Sequence, residues 1–112
     1  MNINYFKESQ FAVTVCDANG IIIYMNDKSI STFKKDGGSA LIGKNLLDCH
    51  PEPSRSMIEK LLISHIENSY TIEKNGVKKL IHQTPWYKEG EFKGYIELSI
   101  VIPIEMPHFI RK

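Results

Sequence analysis

The chain has 112 residues, enough for one domain and too few for two. Hydrophobic residues make up 42% and charged residues 24%, the balance of a globular domain that can bury a core without disulfide or metal staples. A formal net charge of +1, with lysines scattered as in Lys34–Lys35 and Lys78–Lys79, excludes a general pull toward nucleic acid or an acidic membrane.

Two cysteines, Cys16 and Cys49, are too few for a secreted disulfide framework. MNINYFKESQ at the N-terminus lacks the basic and apolar regions of a signal peptide. Apolar runs such as IELSIVIPI are far too short to span a bilayer. A reducing, cytoplasmic location is the expectation.

Residues 1–10 fit a short amphipathic helical cap with Ile3 and Phe6 on one side. FAVTVCD alternates: Phe11, Val13 and Val15 share one face, Ala12, Thr14 and Cys16 the other. DANG is a turn signal and GIIIYMN a second strand, so the two runs read as a hairpin. Asn26 or Asp27 can cap a short helix running through Phe33. KKDGGS reads as a loop, and SALIGKNLLDCH as short helical turns broken by Gly43. From Ser54 a longer helix is expected through Glu67, with Met57, Ile58, Leu61, Leu62 and Ile66 at helical spacing and His65 on the same stripe. SYTIEK, the Asn75–Gly76 turn and VKKLIHQTPWYK form a second hairpin. After the turn KEGEFKG, GYIELSIVIPI alternates, with Ile96, Leu98 and Ile100 on one face and Tyr95, Glu97, Ser99 and Val101 on the other. The order predicts an α+β fold: a five-stranded antiparallel sheet with short helices and one longer helix on one face.

DANGIIIYMN carries an aspartate, a turn glycine, an aliphatic strand and an asparagine opening the next helix: Asp17, Gly20, Ile21 to Ile23 and Asn26. With the closing KEGEFKGYIELSIVI, this resembles a PAS domain over residues 8–103. The resemblance implies one PAS domain over 1–112, with a cap at 1–10, a core at 11–103 and a tail at 104–112. It implies a sensing or dimerising role and leaves the ligand open.

Flavin-binding light sensors of that family carry a reactive cysteine after G-x-N. Gly43, Lys44 and Asn45 are followed here by Leu46, and Cys49 is displaced from the required place. Their last-strand glutamine has Ile96 as its nearest match, so flavin is not expected. CHPEPSRSMIEKLL resembles the matching stretch of carbon-monoxide-sensing PAS regulators, where the histidine is a haem iron ligand; the matching residue is His50. The Cys-His-Pro pattern also resembles a bacterial PAS module found with a hemerythrin-like partner. The regulators' opposite ligand, a methionine, falls on Tyr70 or Thr71, which leaves a second protein ligand open.

Haem b needs a neutral imidazole aimed from a rigid segment into an apolar pocket. Pro51 and Pro53 stiffen the chain after His50, and Leu46, Leu47, Ile58, Leu61 and Leu62 are candidate pocket walls. Glu52, Asp48 or a backbone carbonyl would hold the other ring nitrogen. The plain alternative is a turn histidine bonded to backbone. His65 is a rival ligand or a core-edge histidine; His82 is a candidate distal or pocket group; His108 belongs to the tail. Cys49 beside His50 invites zinc, but no C-x-x-C supplies the remaining ligands. No G-x-S-x-G, phosphate-cradling glycine loop or H-E-x-x-H is present, so an enzyme is not expected. Trp86 and Tyr87 either close the core or lie on an outer sheet face that pairs two copies.

The expected function is therefore cytoplasmic sensing of a small molecule or gas, through haem in its sharpest form, with a homodimer or a signalling protein as partner. The other class is an interaction module whose pocket is filled by its own side chains or by a small organic or fatty ligand. No effector domain is recognised, so the chain is expected to be part of a larger regulator or to act on a separate protein.

Overall fold

Asp17 organises the first turn: its Oδ1 accepts from the N–H of Asn19 at 2.9 Å and of Ile21 at 3.0 Å. Gly20 follows at φ 85°, which only glycine adopts without strain. That turn joins β1 (Ala12–Asp17) to β2 (Ile22–Met25) in the computed structural model, which describes residues 3–112. Asn26 then caps α1 (Asp27–Thr32), its Oδ1 accepting from the N–H of Ser29 at 3.0 Å. Of two 3₁₀ turns, Lys34–Asp36 lies in the segment expected as a loop, and Gly38–Leu41 runs from it into the stretch expected as short helical turns. Asn45 caps the single turn α2 (Leu46–Cys49), and α3 spans Ser54–Ser64. The chain closes with β3 (Asn68–Lys74), β4 (Val77–Lys88) and β5 (Glu91–Ile102).

All five strands form one antiparallel sheet in the order β2-β1-β5-β4-β3. β5 is therefore the central strand. Residues paired across a ladder share a face. Thr14 and Gln83 both pair with Glu97, and Cys16 and Pro85 with Tyr95, so these residues define the inner face, under the helices. Val13 and His82 pair with Leu98, and Val15 and Thr84 with Ile96, on the outer face. Cys16, Leu61 and Tyr95 form a buried cluster, with Leu46, Leu62 and Phe92 packed against it. Removing a side chain the size of Leu61 from water is worth roughly 1.5–3 kcal/mol.

Gly94 explains how β5 runs so close to β1. A Cβ there would collide with the carbonyl oxygen of Cys16 and lie 2.8 Å from Asp17 Cα. The same Cys16 oxygen accepts the indole N–H of Trp86 at 3.1 Å. Trp86 is thus half-buried on the outer face, while Tyr87 stays 53% exposed with its ring edge-on to Phe92.

Two expected elements differ. Over the described part of 1–10 the chain makes turns and no helix; Met1 and Asn2 lie outside the described residues. Asn4 Oδ1 captures the N–H of Phe6 at 3.0 Å, a local bond that competes with helix. Ile3 and Phe6 are 68% and 51% exposed. The long helix stops at Ser64 instead of Glu67. His65 adopts the left-handed conformation, φ 58°, and its N–H closes on the carbonyl of Leu61 at 2.9 Å. His65 is accordingly a helix terminator and not a member of the apolar stripe, and Ile66 lies beyond the helix, 52% exposed.

Candidate functional site

A cavity of about 480 Å³ lies between the helices and the inner face of the sheet. Its roof is α2, the residue after it, and α3: Leu46, Cys49, His50, Ile58, Leu61 and Leu62. Phe33, Asp36 and Leu41 form one side, and Ile22 and Met25 of β2 extend the apolar wall. The rest of the floor is more polar: Thr14 and Cys16 of β1, Gln83 of β4, and Tyr95 and Glu97 of β5. An apolar roof over a few converging polar groups, at this volume, is the usual form of a small-molecule site.

His50 follows α2, a single turn whose carbonyls have no continuing helix to bond. Its Nδ1 lies 2.8 Å from the carbonyl oxygen of Leu46. A carbonyl only accepts, so Nδ1 carries the proton and Nε2 of the neutral ring keeps its lone pair. The ring is both a cap on α2 and a half-buried part of the cavity wall. Of the possible holders of the second nitrogen, a backbone carbonyl does it. Glu52 instead caps α3, its carboxylate accepting from the N–H and the hydroxyl of Ser56.

The floor contains a directional relay. Asn68 Nδ2 donates to Gln83 Oε1 at 2.9 Å, and Gln83 Nε2 donates to Glu97 Oε2 at 2.8 Å. Burial raises the Glu97 carboxyl above its ordinary value, and the Gln83 bond and the charge of His50 act the other way. The surface Glu97 retains faces the cavity. Its Oε1 makes no hydrogen bond within the described residues, where no buried side-chain nitrogen or oxygen lacks a partner, so Oε1 is open to the cavity. Thr14 Oγ1 is committed to Ser29 Oγ at 2.6 Å. The Tyr95 hydroxyl is likewise committed, 2.7 Å from the Leu61 carbonyl and 2.8 Å from that of Ile66, sharing its one proton between them. Burial raises the Cys16 thiol, keeping it protonated.

The structure brings Leu46, His50, Ile58, Leu61 and Leu62 to one cavity; Leu47, His65, Tyr70 and His82 are not in its lining. His65 stacks its ring on Phe92, centroids 3.6 Å apart and planes 8° from parallel. His82 is on the outer face, its Nδ1 2.6 Å from Ser69 Oγ. Tyr70 is on the edge strand β3, on the inner face but 45% exposed. Ile96, the residue set against the flavin-binding glutamine, faces outward, and Glu97 holds the cavity-facing place beside it. Sequence reasoning missed Glu97 and Gln83. The available signal was a carboxylate in the middle of a strand that had every mark of being central.

Haem b can be tested against these side chains. His50 suits an axial ligand, with a fixed tautomer and a free Nε2. The remainder suits haem poorly: haem b carries two propionates, no lysine or arginine is among the residues lining the cavity, and Glu97 and Asp36 are.

No family model and no curated protein matches the sequence. Solved structures do match in shape. The PAS domain of BvgS from Bordetella pertussis aligns at TM-score 0.63 and 23% identity, over 88% of this chain and 81% of that one. The Aer2 receptor of Vibrio cholerae, described as a dual PAS–haem oxygen sensor, aligns at 0.60 and 19%, over 84% and 96%. A C-terminal domain from Streptococcus mutans aligns at 0.71 and 15%, over 86% and 78%. Identities this low speak to architecture alone, and the five-stranded antiparallel sheet with its helices on one face matches that of the PAS neighbours: this chain has the PAS fold.

Proposed function

We propose that the chain is a cytoplasmic sensory module, one PAS unit with its core over 11–103, that binds a small molecule between α3 and the sheet. The observation that carries this is the 480 Å³ cavity with an apolar roof and an uncommitted carboxyl oxygen on its floor. Its side chains leave that space open, which favours a ligand over a self-filled interaction module. Binding shifts the helical roof, and the sheet passes the change to a second copy or a signalling protein at its outer face. The role is binding and relay, without catalysis.

The test is a titration with tryptophol, a neutral probe, followed by amide NMR shifts at residues 46–50, 58–62 and 95–97. Saturable shifts there, abolished by Leu62→Phe, which fills the cavity from the roof, are expected. No shift at any of these positions would overturn the reading.

A second reading, haem b with His50 as axial ligand, is favoured by the free Nε2 and opposed by the acidic lining. Haem would supply an iron centre for a gas or redox signal; this chain's part would be to aim the imidazole and exclude water with Leu46, Ile58, Leu61 and Leu62. Hemin titration gives a Soret band lost in His50→Ala if this holds. A band lost only in His65→Ala would move the ligand, and no saturable band would end the haem reading.

A further inference from the structure

Glu97 stands on the middle strand of the sheet, at the centre of the cavity floor. One carboxyl oxygen is occupied by Gln83 Nε2 at 2.8 Å, and Gln83 is itself held by Asn68, so the carboxyl is fixed in orientation. The other oxygen faces the cavity. A carboxylate in such a place is ordinarily paired with a cation from the protein. Among the described residues no lysine or arginine lines this cavity, and Glu97 takes part in none of the ion pairs. The second uncommitted group, His50 Nε2, is also an acceptor in the neutral ring. Asp36 adds a further negative group at the side wall. The cavity therefore presents acceptors and acidity, and apart from the imidazole of His50, which is not ion-paired with Glu97, its lining holds no group that can carry a positive charge.

We propose that the ligand supplies the missing cation: a small organic amine or amidine, its N–H group donating to Glu97 Oε1 and its apolar body under Leu46, Ile58, Leu61 and Leu62. This rests on the small-molecule reading of the cavity and narrows it. The volume holds about sixteen non-hydrogen atoms at roughly 30 Å³ each, the share of a molecule of liquid water. A carboxylate ligand, a fatty acid included, would set its charge against Glu97 and Asp36 with no lysine or arginine in the lining to balance it. A charge-assisted bond is about twice as strong as a neutral one.

Three probes of one shape separate the alternatives: tryptamine (cation), tryptophol (neutral) and indole-3-propionate (anion), each titrated by calorimetry into the intact chain near neutral pH. Tryptamine is expected to bind about tenfold tighter than tryptophol, the margin of one charge-assisted bond over a neutral one. Indole-3-propionate is expected to bind weakest. In Glu97→Gln, which keeps the shape and the bond to Gln83, tryptophol binding persists and the tryptamine advantage disappears. Equal or tighter binding of the alcohol or the acid to the unmutated chain overturns the cation assignment and leaves the cavity reading standing. So does a tryptamine advantage that survives Glu97→Gln. Failure of all three probes to bind overturns both.

Discussion

Asn26 ties three parts of the chain together, and replacing it with alanine should be among the costlier single substitutions. Only 1% of the residue is exposed. Its Oδ1 accepts from the N–H of Val13 at 2.9 Å and of Ser29 at 3.0 Å, joining β1 to the start of α1. Its Nδ2 reaches the carbonyls of Phe6 at 2.7 Å and Phe11 at 2.9 Å and the hydroxyl of Ser9 at 3.1 Å, holding the N-terminal segment. Losing the cap costs about 1 kcal/mol. Leaving the buried Val13 N–H without a partner costs roughly 1–3 kcal/mol more. The expected loss is about 2–4 kcal/mol, from a total that for a domain this size is about 5–15. At about 4 °C per kcal/mol, Tm falls by roughly 8–16 °C. Asn26→Asp keeps the acceptor and turns a carboxylate toward the Phe6 and Phe11 carbonyls, so it should not rescue. Urea unfolding followed both by circular dichroism and by Trp86 fluorescence measures this, with an unchanged m-value as the check that the endpoints are the same. An alanine variant within about 1 kcal/mol of the parent, the size of an ordinary surface change, would refute the reasoning.

Tyr95→Phe removes the hydroxyl shared by the Leu61 and Ile66 carbonyls and is expected to cost about 1–2 kcal/mol, with faster amide exchange at residues 61–66 and little change at 12–17. Glu97→Gln should stabilise the ligand-free protein near neutral pH. The folded-state value of Glu97 is raised above its ordinary 4.5, so its contribution is full below that value and is lost as pH rises through the folded value. The difference in Tm between variant and parent, which cancels the other titrations, should therefore be larger at about pH 8 than at about pH 4. His50, whose charge favours the ionised carboxyl, and Tyr70 and Cys16, which feel its charge, are the other titrating groups that bear on it. A difference independent of pH would count against a buried, uncompensated Glu97.

The element order was legible because each element advertises itself locally. Asn26 caps as its type predicts, Asn75–Gly76 takes the positive φ values of 53° and 78° that the second hairpin turn needs, and β4 runs over the 77–88 stretch read for it. The end of α3 was not legible, because histidine closes it in a conformation that glycine or asparagine would have announced. The site was half legible. The roof follows from the helical stripe that gave Ile58, Leu61 and Leu62 and from the leucines just before His50, of which Leu46 reaches the cavity and Leu47 does not. The floor was hidden by alternation itself, which divides β5 into two faces without saying which is inward. The more apolar set, Ile96, Leu98 and Ile100, is the natural choice for a core, yet the inner face carries Tyr95 and Glu97. A sheet whose inner face borders a cavity of this kind need not follow the usual rule, since Gln83 and Glu97 face open space there and not packed side chains.

How such a ligand could move the roof follows from what holds each end of α3. Its C-terminal end is pinned: Leu61 is 6% exposed, the Tyr95 hydroxyl grips the Leu61 and Ile66 carbonyls, and His65 stacks on Phe92. Its N-terminal end is held mainly by local bonds. Glu52 caps Ser56, Arg55 pairs with Glu59 at 3.5 Å, and the residues from Pro53 to Met57 are all exposed. Exposed pairs of that kind are worth about 0.2–1 kcal/mol, too little to fix a helix end. The structure is therefore stiff where α3 meets Tyr95 and soft where it follows His50 and α2. A ligand bonded to Glu97, as proposed, would push against both, and the end that yields would be the one near His50. Displacement of the roof would then be a pivot about Tyr95, on the same strand as Glu97, two residues away. Under the proposed function β5 would feel the ligand directly through Glu97 and the helix through Tyr95, and its outward residues, Ile96 and Leu98, alternate with these two.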